Sequence, residues 1–270
     1  DADEDLLNLV AQTAMTGKSA EADKEHLAAI CVEVAMAADI EDINIVQRPN
    51  GKVRESTAIA GLLLDGEKLD HAMPDAVEEP KIGLIAADID VPDYAQQLNV
   101  QLKDNSGVKD FIDSRNAQLV EIGERLIKTG MNVLFCSREV HPAVIEHLAA
   151  NNAYAVRRVR RSDMEALAKS TGARIVMNMD TFSSKDLGTA GLLEEVSIGE
   201  RPMIKITDTP NKSTVSVLVR APTHHVVEEI KRAFDDAIGV VSIANEDQSV
   251  VPGGGAPYMQ LSTRLKEYAA

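Results

Sequence analysis

Between residues 131 and 179 the hydrophobic pattern keeps switching period. MNVLFCS (131–137) is a short apolar run, HPAVIEHLAANN (141–152) has helical spacing, and AYAVRRV (153–159) is a run again. SDMEALAKSTG (162–172) returns to helical spacing and stops on Gly172, and ARIVMNM (173–179) is a third run. Short runs read as buried strands, and a helix between consecutive strands brings each one back parallel to the last. The pattern therefore predicts an α/β fold around a parallel sheet. KIGLIAADI (81–89) reads as another buried strand and LNVQL (98–102) as a half-exposed one. Residues 107–129 read as a long helix with Val108, Phe111, Ile112, Leu119, Ile122, Leu126 and Ile127 as its apolar positions and Gly130 as its stop. Ser162 and Glu165 have the spacing of a capping box.

The flanks have another rhythm. Leu6, Leu7, Val10, Ala14 and Met15 recur at helical spacing up to a break at Thr16-Gly17. Ser19 is placed to cap a second helix with a stripe of Leu27, Ile30, Cys31, Val34 and Ala38. Asn50-Gly51 between two extended runs predicts a hairpin. Strands are expected near 192–198, 203–207 and 214–220, and a last helix over 223–244 turns Val226, Val227, Ile230, Phe234, Ala237, Ile238 and Val241 inward. The layout is a helix–hairpin segment, an α/β insertion and a return segment. Neither outer segment has enough apolar surface for a core alone, so the two are expected to pack together.

Composition narrows the function. The 270 residues are 44% hydrophobic but only 3% aromatic, which predicts aliphatic cores and little to stack on a base. Forty-three acidic residues against 28 basic ones give a net charge of -15. Duplex binding needs the opposite balance, so no nucleic-acid partner is expected. Arg157–Arg161 is the one basic run, and it reads as a solvated strand end with Arg158 and Arg160 on one face and Val159 on the other. Cys31 and Cys136 each sit in an apolar run and read as core thiols. No stretch approaches 18 apolar residues and no basic-then-apolar leader opens the chain, so neither a membrane partner nor a signal peptide is expected and the cytoplasm fits.

Some chemistry-bearing motifs fail on inspection. MTGKS (15–19) has the tail of a phosphate-binding P-loop, but Gln12 stands where the first glycine belongs and a helix precedes it instead of a strand. Lys18 on that exposed break still suits a phosphate. His224 and His225 are adjacent, so on a helix they point about 100° apart and do not chelate together. No metal-ligand spacing appears, and no metal site is expected. Asp236 lies at the edge of the last helix's apolar stripe. It reads either as a surface carboxylate or as a partly desolvated one that orients water or a metal ion at a phosphate. Gly253, Gly254 and Gly255 lie between Pro252 and Pro257, and bare backbone of this kind permits close approach to a ligand.

Several stretches together carry a resemblance: AQTAMTGKSAE, Ala72-Met73-Pro74 before a strand, AVRRVRRSDMEALAKSTGARIV (155–176), STVSVLVRAPTHHVVEEIKRAFDDAIGVV (213–241) and VVPGGGAP (250–257). In order, and over essentially the whole chain, they resemble the group II chaperonins of the archaeal thermosome type. The resemblance implies an apical domain with a helical protrusion, at 61–213, inserted in a two-segment α+β intermediate domain at 1–60 and 214–250. Residues 251–270 then begin the equatorial nucleotide-binding domain. Such a subunit uses ATP and Mg²⁺, joins homologous subunits in a double ring and encloses unfolded polypeptide.

By the same resemblance, Gly253, Gly254 and Gly255 line the nucleotide, Lys18 senses its terminal phosphate, and Asp236 helps activate the attacking water. The Gly-Asp-Gly-Thr-Thr phosphate loop of the family is absent from this sequence, which makes the chain a piece of a longer subunit, inactive as an ATPase alone. Leu102–Leu119 corresponds to the protrusion that serves as a lid. Val108, Phe111 and Ile112 are client contacts if exposed and core if packed, and Val144, Ile145 and Leu148 on helix 141–152 divide between the same two roles. Where relatives have Arg-Gly-Gly-Thr, this chain has Arg220-Ala221-Pro222-Thr223, which implies a stiffer hinge. Two other readings remain: a free-standing client-binding domain without ATPase activity, and an independent α/β phosphate-handling enzyme.

Overall fold

The computed structural model describes residues 4–91, 105–199, 201–212 and 214–269, with side chains from 115 onward in the long helix that begins at 105. The first body is a three-stranded sheet under three helices. Its strands are β1 (Ile43–Arg48), β2 (Thr57–Ala60) and, from the far end of the chain, β12 (Val215–Arg220). Helices α1 (Glu4–Met15), α2 (Lys24–Ala37) and α6 (His224–Asp247) cover it. Leu7, Ala11 and Met15 repeat every fourth residue, so one face of α1 is apolar and meets α6. Together with Leu27, Cys31, Val34, Val217, Val219, Ile230, Phe234 and Val241 they form one core from both outer segments. Each fully buried Leu, Val or Phe here contributes about 1.5–3 kcal/mol.

The expected hairpin at Asn50-Gly51 does not form. β12 lies between β1 and β2, parallel to the first and antiparallel to the second. Every residue of β12 is buried, and a strand buried on both faces takes the centre of a sheet. Asn50 does turn, with φ of 61°, but the chain then passes over β12 through a short 3-10 turn at Val53–Glu55.

The second body has a parallel sheet in the order β7-β6-β5-β8, made of β5 (Lys81–Ile85), β6 (Val133–Cys136), β7 (Tyr154–Val156) and β8 (Ile175–Val176). A two-residue strand, β9 (Gly188–Thr189), pairs antiparallel with β5. The helices between the strands are α3 (Asn105–Lys128), α4 (Pro142–Ala150) and α5 (Arg161–Thr171). A second, antiparallel sheet in the order β3-β11-β10-β4 joins β3 (Leu62–Asp65), β4 (Ala76–Glu78), β10 (Leu192–Ile198) and β11 (Arg201–Thr207). Leu62, Leu64, Leu84, Phe135, Tyr154, Leu167 and Ile204 share one core. Leu119, Leu126, Leu134, Cys136, Val144 and Leu148 share another. The expected α/β sheet with covered faces is present.

The bodies meet where β2 runs into β3. Gly61 has φ of 119°, and a Cβ there would sit 2.2 Å from the Ile206 carbonyl oxygen, so only glycine fits. Buried Ser216 donates from Oγ to the Gly61 carbonyl at 2.9 Å and accepts from the Leu63 amide at 2.9 Å. A small cluster of Leu63, Met203 and Leu218 seals the junction.

Local expectations fared unevenly. Gly172 caps α5 in the left-handed region, with φ of 74°. The capping box at Ser162 and Glu165 is absent: the N-cap of α5 is Arg160, two residues earlier, Ser162 turns to Asp163, and Glu165 pairs with Arg161 at 2.8 Å. Ser19 does not cap α2 either, because its hydroxyl bonds Glu229. β7 ends at Val156, and Arg158 has φ of 57°, so the basic run is a loop rather than a strand end. Val159 still turns inward while Arg157 and Arg158 pair with Glu139. The strand expected at 98–102 lies outside the described residues.

Candidate functional site

Two residues singled out in the sequence, 218 positions apart, meet in the structure: Lys18 donates from Nζ to Asp236 Oδ2 at 2.5 Å. Local causes bring each one there. After α1, Gly17 takes φ of 75° and its amide donates to Glu21 at 3.1 Å, which turns the chain and points Lys18 back towards α6. Asp236 follows Phe234 and precedes Ala237 and Ile238, all buried, so the register of α6 is fixed and residue 236 emerges at the edge of the stripe. Ser19 reaches Glu229 two helical turns earlier, which ties the same loop to the same helix twice. Of the two readings of Asp236, the structure gives the surface carboxylate: its side chain is 65% exposed, and Lys18 is the partner it finds. An exposed ion pair of this kind contributes about 0–1 kcal/mol to stability. Its carboxylate is open to solvent and to a reactant.

Gly253, Gly254 and Gly255 form the turn before α7 (Ala256–Ala269). Gly254 and Gly255 have φ of 64° and 83°, and a Cβ at any of the three would meet no other heavy atom within 4 Å. Their backbone is bare and exposed, with the last two glycines left-handed, as close ligand approach permits. Lys18 and Asp236 are thus brought together, while the glycine turn stands open on its own. Among the described residues, no group of three His, Cys, Asp or Glu side chains is arranged to hold a metal ion.

The proposed client contacts separate. Val108, Phe111 and Ile112 fall in the first turns of α3, where their side chains lie outside the described residues. On α4, Val144 and Leu148 are buried core residues, and Ile145 is half-buried against the same core.

The segment Arg220-Ala221-Pro222-Thr223 is anchored through Arg220, Ala221 and Thr223, while Pro222 and Thr223 are exposed. The Arg220 amide donates to Ser56 Oγ at 3.0 Å, and its guanidinium reaches the Asn50 carbonyl at 3.1 Å and Glu55 at 3.4 Å. Ala221 is fully buried and accepts from the Gly51 amide at 3.1 Å. Thr223 caps α6 by accepting from the Val226 amide at 3.3 Å. Sequence reasoning missed Ser19, Glu229 and Arg220, whose partners all lie more than a hundred residues away.

The sequence model of the TCP-1/cpn60 chaperonin family matches residues 1–270. The chain belongs to that family. Among curated proteins, this chaperonin chain is 38% identical over 273 residues to thermosome subunit beta of Methanothermobacter thermautotrophicus, an alignment that covers 99% of this chain and 51% of the relative. It is 37% identical to the thermosome subunit of Methanocaldococcus jannaschii, again over 99% of this chain and 51% of the relative. Among solved structures, the open-state monomer of a group II chaperonin from Methanococcoides burtonii superposes with a TM-score of 0.81 at 34% identity, over 99% of this chain and 63% of that one. The chaperonin chain thus spans about half the length of the curated relatives it matches. Its α/β architecture is that of chaperonin domains.

Proposed function

We propose that this chain is the client-holding and hinge portion of an ATP-dependent protein-folding chaperonin subunit, which works in the cytoplasm within a double ring of homologous subunits. The observation that carries the reading is the Lys18–Asp236 pair, a cation and a solvent-open carboxylate held 2.5 Å apart by two separate parts of the chain. Phosphoryl transfer asks for positioning and charge more than covalent chemistry, and these two groups supply both. Asp236 orients the attacking water and accepts its proton, and Lys18 offsets the charge on the terminal phosphate. The bare backbone at Gly253, Gly254 and Gly255 suits close approach of the nucleotide's sugar and base. Mg²⁺ fits this donor set in part, since it binds through one or two carboxylates plus phosphates and water, and Asp236 is the exposed carboxylate here. When bound it would add charge neutralisation at the phosphates.

In this reading α6 transmits the event at Asp236 to the hinge at Arg220–Thr223, and the second body with α3 at its rim holds unfolded polypeptide. The test uses the 270-residue chain itself, mixed with a chemically denatured model protein. It is expected to suppress aggregation of the denatured protein and to hydrolyse no ATP, and Phe111→Asp with Ile112→Asp is expected to weaken the suppression. Sustained ATP turnover by this chain, or no effect on aggregation at any concentration, would contradict the proposal.

A further inference from the structure

A cleft of about 530 Å³ opens between the two bodies, and neither Lys18 nor Asp236 lines it. Its walls come from β1, β3, the start of α5, the β10–β11 turn and the first two turns of α6. Arg48, Arg160 and Arg201 line it against two carboxylates, Asp65 and Asp163, and Lys231, also in the lining, is paired with Asp235 at 2.8 Å. It continues past Arg157 and Arg158 along the same face. This is a concentration of positive charge on a chain of net charge -15.

The charges are not balanced in place. Asp65 is shared between Arg48 and a longer contact to Arg160 at 3.9 Å. Arg201 makes no ion pair with another described residue. Arg48 is almost buried, with 12% of its side chain exposed, and its Nε has no hydrogen-bond partner. Burial, followed by the fields of Arg201, Arg160 and Arg220, lowers its pKa. Guanidinium groups crowded this way repel one another, and a multivalent anion between them relieves the repulsion. Arginine's planar fork also matches the oxygens of a phosphate. Neither Phe nor Tyr lines the wall, so the lining is weighted towards charge, with His224 as its one aromatic ring.

We propose that this cleft binds a compact polyanion of linked phosphate groups, held by Arg48, Arg160 and Arg201. The site is independent of the ATP chemistry assigned to Asp236. An anion there ties β1 and the start of α6 to β3, α5 and β11, which lie on opposite sides of the Gly61 crossing, and so favours one relative orientation of the two bodies.

Calorimetric titration of the chain with sodium tripolyphosphate at fixed ionic strength tests the proposal. One saturable site is expected, with affinity reduced at least about tenfold in Arg160→Gln/Arg201→Gln. Both of these side chains are exposed, and circular dichroism checks that the variant is folded. Arg160→Lys/Arg201→Lys keeps the charge without the fork and is expected to bind with intermediate affinity. Arg54→Gln, at an exposed cation outside the cleft, is expected to bind as the parent does. Absence of saturable binding, unchanged affinity in the Gln pair, or an equal loss in Arg54→Gln would overturn the site. Tighter binding of ATP than of tripolyphosphate that survives the Gln pair would assign the phosphate affinity to the nucleotide site instead.

Discussion

At the residue scale, burial decides what the two thiols can do. Cys31 and Cys136 are free and buried, and burial pushes their pKa values up to about 12 and about 11. In the unfolded chain both titrate near the ordinary value of 9. Between pH 9 and 11 the unfolded state therefore holds fewer protons than the folded one, and stability falls as pH rises, by up to about 1.4 kcal/mol per pH unit for each thiol. Chemical denaturation at pH 8 and pH 10.5 is expected to show that loss, and Cys31→Ala/Cys136→Ala is expected to flatten it. The core character of these thiols was legible from their apolar neighbours in the sequence. The partner of Asp236 was not. Helical spacing places residue 236 at the edge of a stripe, but which cation arrives there depends on how α1 and its following loop pack on a helix far along the chain.

At the element scale, the three-stranded sheet shows where sequence reading stops. The alternating strands and helices of the insertion were legible because each signal is local: a short apolar run, a helical stripe, a glycine stop. Asn50-Gly51 is equally local and points to a hairpin, yet the strand that pairs with both flanks is β12, more than 150 residues later. Ser19 and Ser162 miss their expected caps for a related reason. Ser19 prefers a carboxylate on α6, and α5 begins two residues earlier than a cap at Ser162 requires. Gly51 has a tertiary reason to be glycine. A Cβ there would lie 2.3 Å from Arg220 Nε, and that guanidinium is nine-tenths buried and held by Asn50 and Glu55. Gly51→Ala is expected to destabilise the chain by about 1–3 kcal/mol, as overpacking does, and to be read as a lowered melting temperature. A melting temperature equal to the parent's would show that Arg220 moves aside freely.

At the scale of the whole molecule, the two bodies have separate cores and meet through Gly61, Ser216, a small apolar cluster and ion pairs such as Arg48–Asp65 and Lys169–Asp42. Such a junction permits rotation of one body against the other more readily than a large shared core would. α6 runs from its cap at Thr223, just after β12, past the Lys18 loop, so one rigid element links Asp236 to the segment that leads out of β12. The proposed function rests on Asp236 as the group that activates water. The most direct measurement is steady-state ATP turnover by the assembled chaperonin with Asp236→Ala, alongside its binding of a denatured protein. Turnover is expected to fall by about 100-fold or more with client binding retained, as loss of a catalytic base predicts. Turnover at the parent's rate would contradict the account.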